Sequence, residues 1–177
     1  MPNFTIREAF KKDATNIGLL HALSWMNTYK NILPDSFLNN DLAEERKKYW
    51  SERLSKLTSK DFVFVAEMET DLVGFIAVFD EPDREYKAFI DNLHVHIHKK
   101  GMGIGKKLMK AAAGRLREMG INSAYLWVLK GNNKAEEFYK AIGAKQGDIS
   151  SAKFGDATIL ETRFVWDNLD ELLNSMI

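Results

Sequence analysis

Apolar and polar positions alternate at the start of the chain, where Phe4-Thr5-Ile6-Arg7 has the period-two pattern of a short strand. Asp13 then stands as a candidate N-cap for a helix predicted from Ala14 to about Tyr29. Within it Leu19, Leu23 and Met26 share one face, while Ala22, Trp25 and Tyr29 form a second stripe. Leu33-Pro34 breaks this pattern. A second helix is predicted from Asn40 or Asp41, carrying Leu42, Trp50, Leu54 and Leu57 and ending before Asp61.

From Phe62 the period changes. Phe62 to Ala66 and Leu72 to Phe79 are apolar, β-rich runs joined by Glu69-Thr70-Asp71, which predicts an antiparallel hairpin. Their near-continuous apolar character implies a sheet covered on both faces. A surface loop with Pro82 leads to a strand from Tyr86 to Val95. Helical spacing of Ile104, Leu108, Ala112 and Met119 follows, stopped by Gly120. A strand from Ser123 to Val128 and a short helix from about Asn133 to Ile142 come next. Ala144 to Lys153 and Ala157 to Trp166 read as two strands around Gly155-Asp156, and Leu169, Leu172, Leu173 and Met176 as a terminal amphipathic helix. The order β-α-α-β-β-β-α-β-α-β-β predicts one α/β layered domain over residues 1–177, with a mixed central sheet flanked by helices.

Composition narrows the function classes. With 25 Lys+Arg against 25 Asp+Glu, the surface offers no general attraction for nucleic acid or an anionic membrane, so any anion site must be local. No apolar run reaches the length of a membrane span, and the N-terminus lacks a signal-peptide pattern; the expected address is the cytoplasm. The absence of cysteine removes disulfides, thiolate metal sites and a cysteine nucleophile.

The candidate chemistry centres on Lys100-Gly101-Met102-Gly103-Ile104-Gly105-Lys106-Lys107, between an apolar strand and a helix. Glycines let backbone approach an anion, and a helix start supplies unpaired N–H groups and the positive end of the dipole. A Walker A loop fails on spacing, because Gly101 and Gly105 enclose three residues and no hydroxyl residue follows Lys106. A dinucleotide fingerprint fits poorly, since G-x-G-x-G lies deep in the chain after a hairpin.

These residues resemble the GCN5-related N-acetyltransferases (GNAT), which bind acetyl-coenzyme A. Lys100 to Gly105 is similar to the family's Gln/Arg-x-x-Gly-x-Gly/Ala motif, with lysine first. Leu93-His94-Val95 resembles the end of the family's fourth strand, and Asn132-Asn133-Lys134-Ala135-Glu136-Glu137-Phe138-Tyr139 with Gly143 resembles its Asn-x-x-Ala-x-x-Phe-Tyr-x-x-x-Gly segment. The resemblance covers nearly the whole chain. It implies an acyl-CoA N-acyltransferase fold and transfer of acetyl from acetyl-CoA to a small-molecule or peptide amine in a ternary complex. Expected cofactor contacts are Leu93, Val95, Lys100, Gly101, Met102, Gly103, Ile104, Gly105, Lys106 and Asn132, with Lys107 and Lys110 adding positive charge.

By the same resemblance Tyr139 protonates the departing sulfur, and a backbone N–H near Leu93 to Val95 stabilises the oxyanion. The usual glutamate positions hold Phe89 and Val128, so the base is sought nearby: Asp91, or His94, whose ordinary pKa suits neutral pH. Strand parity puts these two on opposite faces unless a bulge intervenes. Asn92 is a candidate for orienting water or the acceptor, and Trp25 and Tyr29 for an aromatic acceptor pocket.

His94, His96 and His98 alternate with metal-like spacing, but no carboxylate or cysteine ligand accompanies them, so no metal is expected. A non-catalytic acyl-CoA-binding or sensing domain is the alternative reading; the absent glutamates favour it and Tyr139 opposes it. No nucleic-acid or membrane partner is expected, and the final strands or terminal helix offer a route to a homodimer.

Overall fold

The computed structural model describes residues 3–39, 41–83 and 85–175. Seven strands form one mixed sheet in the order β1-β2-β3-β4-β5-β7-β6. They are β1 (Thr5–Glu8), β2 (Phe62–Met68), β3 (Asp71–Phe79), β4 (Ala88–Val95), β5 (Ala124–Leu129), β6 (Lys145–Phe154) and β7 (Ala157–Trp166). The helices are α1 (Ala14–Thr28), α2 (Leu42–Ser55), α3 (Ile104–Glu118), α4 (Asn133–Ala141) and α5 (Leu169–Asn174). This is the α/β layered architecture expected. Asn40 and Met176, named as a helix start and a helix-face residue, lie outside the described residues.

The apolar runs of β2 and β3 are buried on both faces because two cores sandwich them. On one face Ile76 and Val78 pack with Leu108, Met109 and Ala112 of α3 and with Leu169 and Leu172 of α5. On the other, Phe75, Ala77 and Phe79 meet Ile17 and Leu20 of α1 and Trp50 and Leu54 of α2. Helices α1 and α2 approach closely at Gly18, where an added Cβ would lie 2.6 Å from the Lys47 backbone. Any side chain there forces the two helices apart.

Two local expectations change. Asp13 occupies the N-cap position of α1 without capping it. Its carboxylate instead accepts the Phe10 backbone N–H at 2.7 Å and the Arg7 guanidinium at 2.8 Å, tying β1 to the helix start. The stripe of Leu19, Leu23 and Met26 is turned outward, with exposures of 44, 38 and 43 %. The inward face of α1 carries Ile17, Leu20, His21 and Ser24 instead, so two polar residues enter the interior.

No described helix is long and apolar enough to cross a membrane.

Candidate active site

Strands β4 and β5 run parallel and pair only at Ala88↔Ala124 and Phe89↔Tyr125. Beyond that point they separate, and the edge of β4 from Ile90 to Val95 that faces β5 has no strand partner. A cavity of about 500 Å³ fills the gap. A backbone edge in a cavity wall needs hydrogen bonds from something other than the sheet, so this gap is a natural seat for an extended, amide-bearing ligand.

At one end of the cavity lies the glycine turn. Gly101 and Gly103 have φ of 81° and 80°, the left-handed region, and Gly103 is the N-cap of α3. The first bond closing the helix runs from Lys107 N–H to Gly103 O at 3.0 Å, which leaves the N–H groups of the first turn free to meet an anion. Lys99, Lys100, Lys106 and Lys134 line this end. The lysines that form ion pairs are Lys47, Lys60, Lys140 and Lys145, all elsewhere among the described residues. Burial, and then the neighbouring Lys134 charge, lower the Lys100 pKa. Gathered positive charge with no carboxylate to balance it suits a polyanion such as a pyrophosphate.

Of the expected cofactor contacts, Leu93, Val95, Lys100, Gly101, Gly103, Ile104, Gly105, Lys106 and Asn132 line the cavity. Met102 does not; it packs against the α3-side core. Lys107 turns away, its ammonium 4.5 Å from the Phe4 ring centroid. Asn132 stands at the N-cap of α4 but makes no capping bond, so its amide is available to the cavity, where it approaches the Tyr29 phenol.

The middle of the cavity brings together Asp91, His94 and Tyr139. Strand β4 is bulged: Ala77 faces Asn92 and Val78 faces Ile90, which leaves Asp91 without an opposite residue. The bulge resolves the parity conflict. Ile90 and Leu93 share the α3-side core, while His94 packs on His21 of α1 and Asp91 feels Arg53 and Arg46 of α2. Burial, and next the Glu81 carboxylate, raise the Asp91 pKa to about 6, while the Arg53 charge opposes this.

His94 is held at Nδ1 by Ser24 Oγ at 2.8 Å, and its ring stacks on His21 with centroids 4.7 Å apart. Burial pushes its pKa down to about 3, so the ordinary value weighed from sequence does not apply in the fold. His21 is fixed by the Trp50 indole N–H, which donates to Nδ1 at 2.9 Å. An indole N–H only donates, so the proton of the neutral ring sits on Nε2. That atom is buried with no partner. His96 and His98 leave this cluster for the 3-10 turn after β4, and no group of three His, Asp or Glu side chains suited to a metal occurs among the described residues.

Tyr139 is buried beside Phe138, Phe164 and Trp166, and burial raises its phenol pKa, with Tyr29 adding to the effect. It therefore keeps its proton until a strongly basic atom takes it. Tyr29 lines the cavity, whereas Trp25 and Asn92 do not. Trp25 packs edge-on against Phe154 of β6 and beside Phe37, and Asn92 donates to the Asp91 carboxylate. Phe89 stacks on Tyr125 at 5.0 Å and Val128 is buried in the cavity wall, so neither usual glutamate position brings a carboxylate. Ser24, Lys99 and Lys134 were not anticipated; the sequence signal for Ser24 was a polar residue on the inward stripe of α1.

A splayed parallel strand pair, a glycine turn opening a helix and a buried tyrosine meet at one cleft, the arrangement that the resemblance to acetyl-CoA-dependent transferases implies. Residues 23–144 match the model of the acetyltransferase (GNAT) family, and the chain belongs to that family. It is 27 % identical over 171 residues to the uncharacterized N-acetyltransferase YuaI of Bacillus subtilis, covering 95 % of each chain. Its fold is similar to that of the PaiA N-acetyltransferase from Thermoplasma acidophilum, solved in complex with coenzyme A, with a TM-score of 0.74, 21 % identity and coverage of 91 % of this chain and 98 % of that one. It is also similar to YncA from Salmonella typhimurium, solved with acetyl-CoA, with a TM-score of 0.67, 18 % identity and 95 % coverage of each chain.

Proposed function

We propose that the chain transfers an acetyl group from acetyl-CoA to a primary amine of a small molecule or peptide, with donor and acceptor bound together and the amine attacking directly. The observation that carries this reading is the cleft where β4 leaves β5 after Phe89↔Tyr125, walled by an anion cradle at one end and by Asp91, His94 and Tyr139 in the middle. The similar PaiA and YncA structures, which hold coenzyme A and acetyl-CoA, point the same way.

The residues fit the donor. Its phosphates suit the first turn of α3 with Lys100, Lys106 and Lys134, and its amide-bearing arm suits the free edge of β4. The donor supplies an acetyl group activated as a thioester. On the protein side, the Asp91 carboxylate, with its pKa near 6, takes a proton from the incoming ammonium directly or through water. His94 stays neutral at its Ser24 anchor and offers a polar ring to the same cavity. Tyr139 holds a proton that the thiolate can take as the C–S bond breaks, the newly bonded nitrogen releases its second proton to solvent as the amide forms, and the phenolate is reprotonated from solvent.

The test is coenzyme A thiol release across a panel of amines, with acetyl-CoA binding measured alongside. Release that depends on an amine is the expected result. Binding with no release from any amine overturns the transferase reading in favour of a sensing domain.

A further inference from the structure

Two residues of the cavity wall, Ser24 and His94, meet in a buried bond of 2.8 Å between Oγ and Nδ1. The His94 ring has little freedom to turn. His21 stacks on it with centroids 4.7 Å apart, and Phe75 packs against it at 5.3 Å. With Nδ1 occupied, Nε2 is the ring atom left for chemistry. The buried side-chain atoms without a partner among the described residues are His21 Nε2 and the Nε atoms of Arg46, Arg53 and Arg163. His94 Nε2 is not one of them although no described residue bonds it, so this atom opens onto the cavity that His94 lines.

The bond at Nδ1 also decides which nitrogen carries the proton. Ser24 is itself buried on the inward face of α1, and Nδ1 is the acceptor that its hydroxyl reaches among the described residues. Donation there leaves Nδ1 bare, and a neutral imidazole then carries its proton on Nε2. The opposite tautomer makes Oγ the acceptor and strands the hydroxyl proton in a buried place. Protonating both nitrogens is opposed as well, because burial, and next the Lys100 charge, push the His94 pKa down to about 3. His94 therefore faces the cavity with an N–H and no lone pair, which suits it to an oxygen and not to the proton of an amine. Asp91, on the same cavity, is left as the group that can take one.

We propose that His94 Nε2–H donates a hydrogen bond to the carbonyl oxygen of the donor's thioester, and that Ser24 is the positioning residue that fixes this tautomer. The inference rests on the acetyltransferase reading above. As the amine nitrogen bonds to the carbonyl carbon, the C=O electron pair moves onto this oxygen; as the C–S bond breaks, the pair returns to re-form the carbonyl and the sulfur leaves as thiolate. The imidazole keeps its proton throughout. Its N–H stabilises the charge that develops on the oxygen, and being already fixed and neutral it needs no reorganisation to do so.

Histidine-selective nitrogen NMR reads the tautomer without turnover, with the His94 signals assigned by their loss in His94→Gln. The expected result is a bare Nδ1 and a protonated Nε2 in the free protein. The Nε2 proton then moves downfield with acetyl-CoA and not with coenzyme A, which lacks the acetyl oxygen. In rate measurements His94→Leu lowers kcat by about 10²–10³-fold, the size of one lost oxyanion donor, with acetyl-CoA affinity held within a few-fold. His94→Gln, whose side-chain amide offers an N–H, recovers part of that loss. Ser24→Ala mixes the His94 tautomers and lowers kcat, and Ser24→Thr, which keeps the hydroxyl, restores the single tautomer. A proton on Nδ1 in the wild type, the same Nε2 proton position with either ligand, or an unchanged kcat in His94→Leu overturns the donor role while leaving the transferase intact. An acetyl-CoA-specific shift at Nε2 with no thiol release from any amine sinks the transferase and keeps the hydrogen bond.

Discussion

Ser24 Oγ on α1 lies 2.8 Å from His94 Nδ1 on β4, a buried bond that joins two elements 70 residues apart at the wall of the cleft. Ser24→Ala leaves a buried imidazole nitrogen unpaired, which costs about 1–3 kcal/mol. The expected outcome is a lower urea midpoint with an unchanged slope, accompanied by a loss of turnover as the His94 ring is released. A midpoint shift worth less than about 0.5 kcal/mol would show that the bond contributes nothing net.

In the proposed reaction Tyr139 supplies a proton, and its ring fills a buried site beside Phe164 and Trp166. Tyr139→Phe keeps the ring and removes the hydroxyl, so packing is nearly conserved. Stability should change by less than ~1.5 kcal/mol, acetyl-CoA affinity should hold within a few-fold, and kcat should fall by about 10²-fold or more. Equilibrium binding and initial rates measured on the same preparation separate the two effects. Weakened binding with preserved kcat would assign the phenol to the cofactor contact instead.

The sheet was legible because β2 and β3 announce themselves as apolar runs between turn residues, and α3 as a 3.6-residue apolar period opened by glycines. The cofactor end was legible for a related reason: Gly101, Gly103 and Asn132 to Tyr139 are local segments whose chemistry travels with their spacing. The acceptor side was not. Which helix face turns inward depends on partners far along the chain, and α1 buries His21 and Ser24 while exposing the more apolar stripe of Leu19, Leu23 and Met26. The bulge that turns Asp91 to the same side as His94 is a register event between β3 and β4. No single-strand pattern contains it.

Two glycines two positions apart, Gly103 and Gly105, should respond oppositely to alanine. Gly103 sits at φ 80° with nothing within 4 Å of an added Cβ, so strain and not crowding opposes the change. Gly103→Ala should cost about 1–2 kcal/mol and weaken coenzyme A binding as the turn relaxes. Gly105 is in regular helix, where a Cβ would touch the Phe138 ring edge at 3.4 Å, ordinary contact distance. There alanine should be neutral or stabilising by up to ~1 kcal/mol through helix propensity. Thermal melts and calorimetric coenzyme A titrations of both variants check the contrast.

Asp91 gives a prediction about pH with a sign opposite to that of most carboxylates. Burial raises its folded pKa from 3.8 to about 6, so between these values the folded state holds a proton that the unfolded state has released. Stability from this group is therefore full below about pH 4 and is lost as pH rises through about 6. Asn at this position mimics the neutral form at every pH. Asp91→Asn should match the wild type near the acid end and exceed its stability by roughly 2–3 kcal/mol above the folded pKa. Buried His21 and His94 act in the other direction, since their lowered pKa values make stability fall as pH drops below the ordinary histidine range. They are common to both proteins and cancel in the comparison. Activity should move oppositely: a base works once deprotonated, so wild-type kcat/KM rises with pH through about 6, whereas Asp91→Asn loses this limb and about 10²–10⁴-fold in rate. Urea titrations and rate profiles of the two proteins across the same buffers test both halves. A variant that is less stable than the wild type above the folded pKa, or that keeps the wild-type rate profile, removes Asp91 as the base.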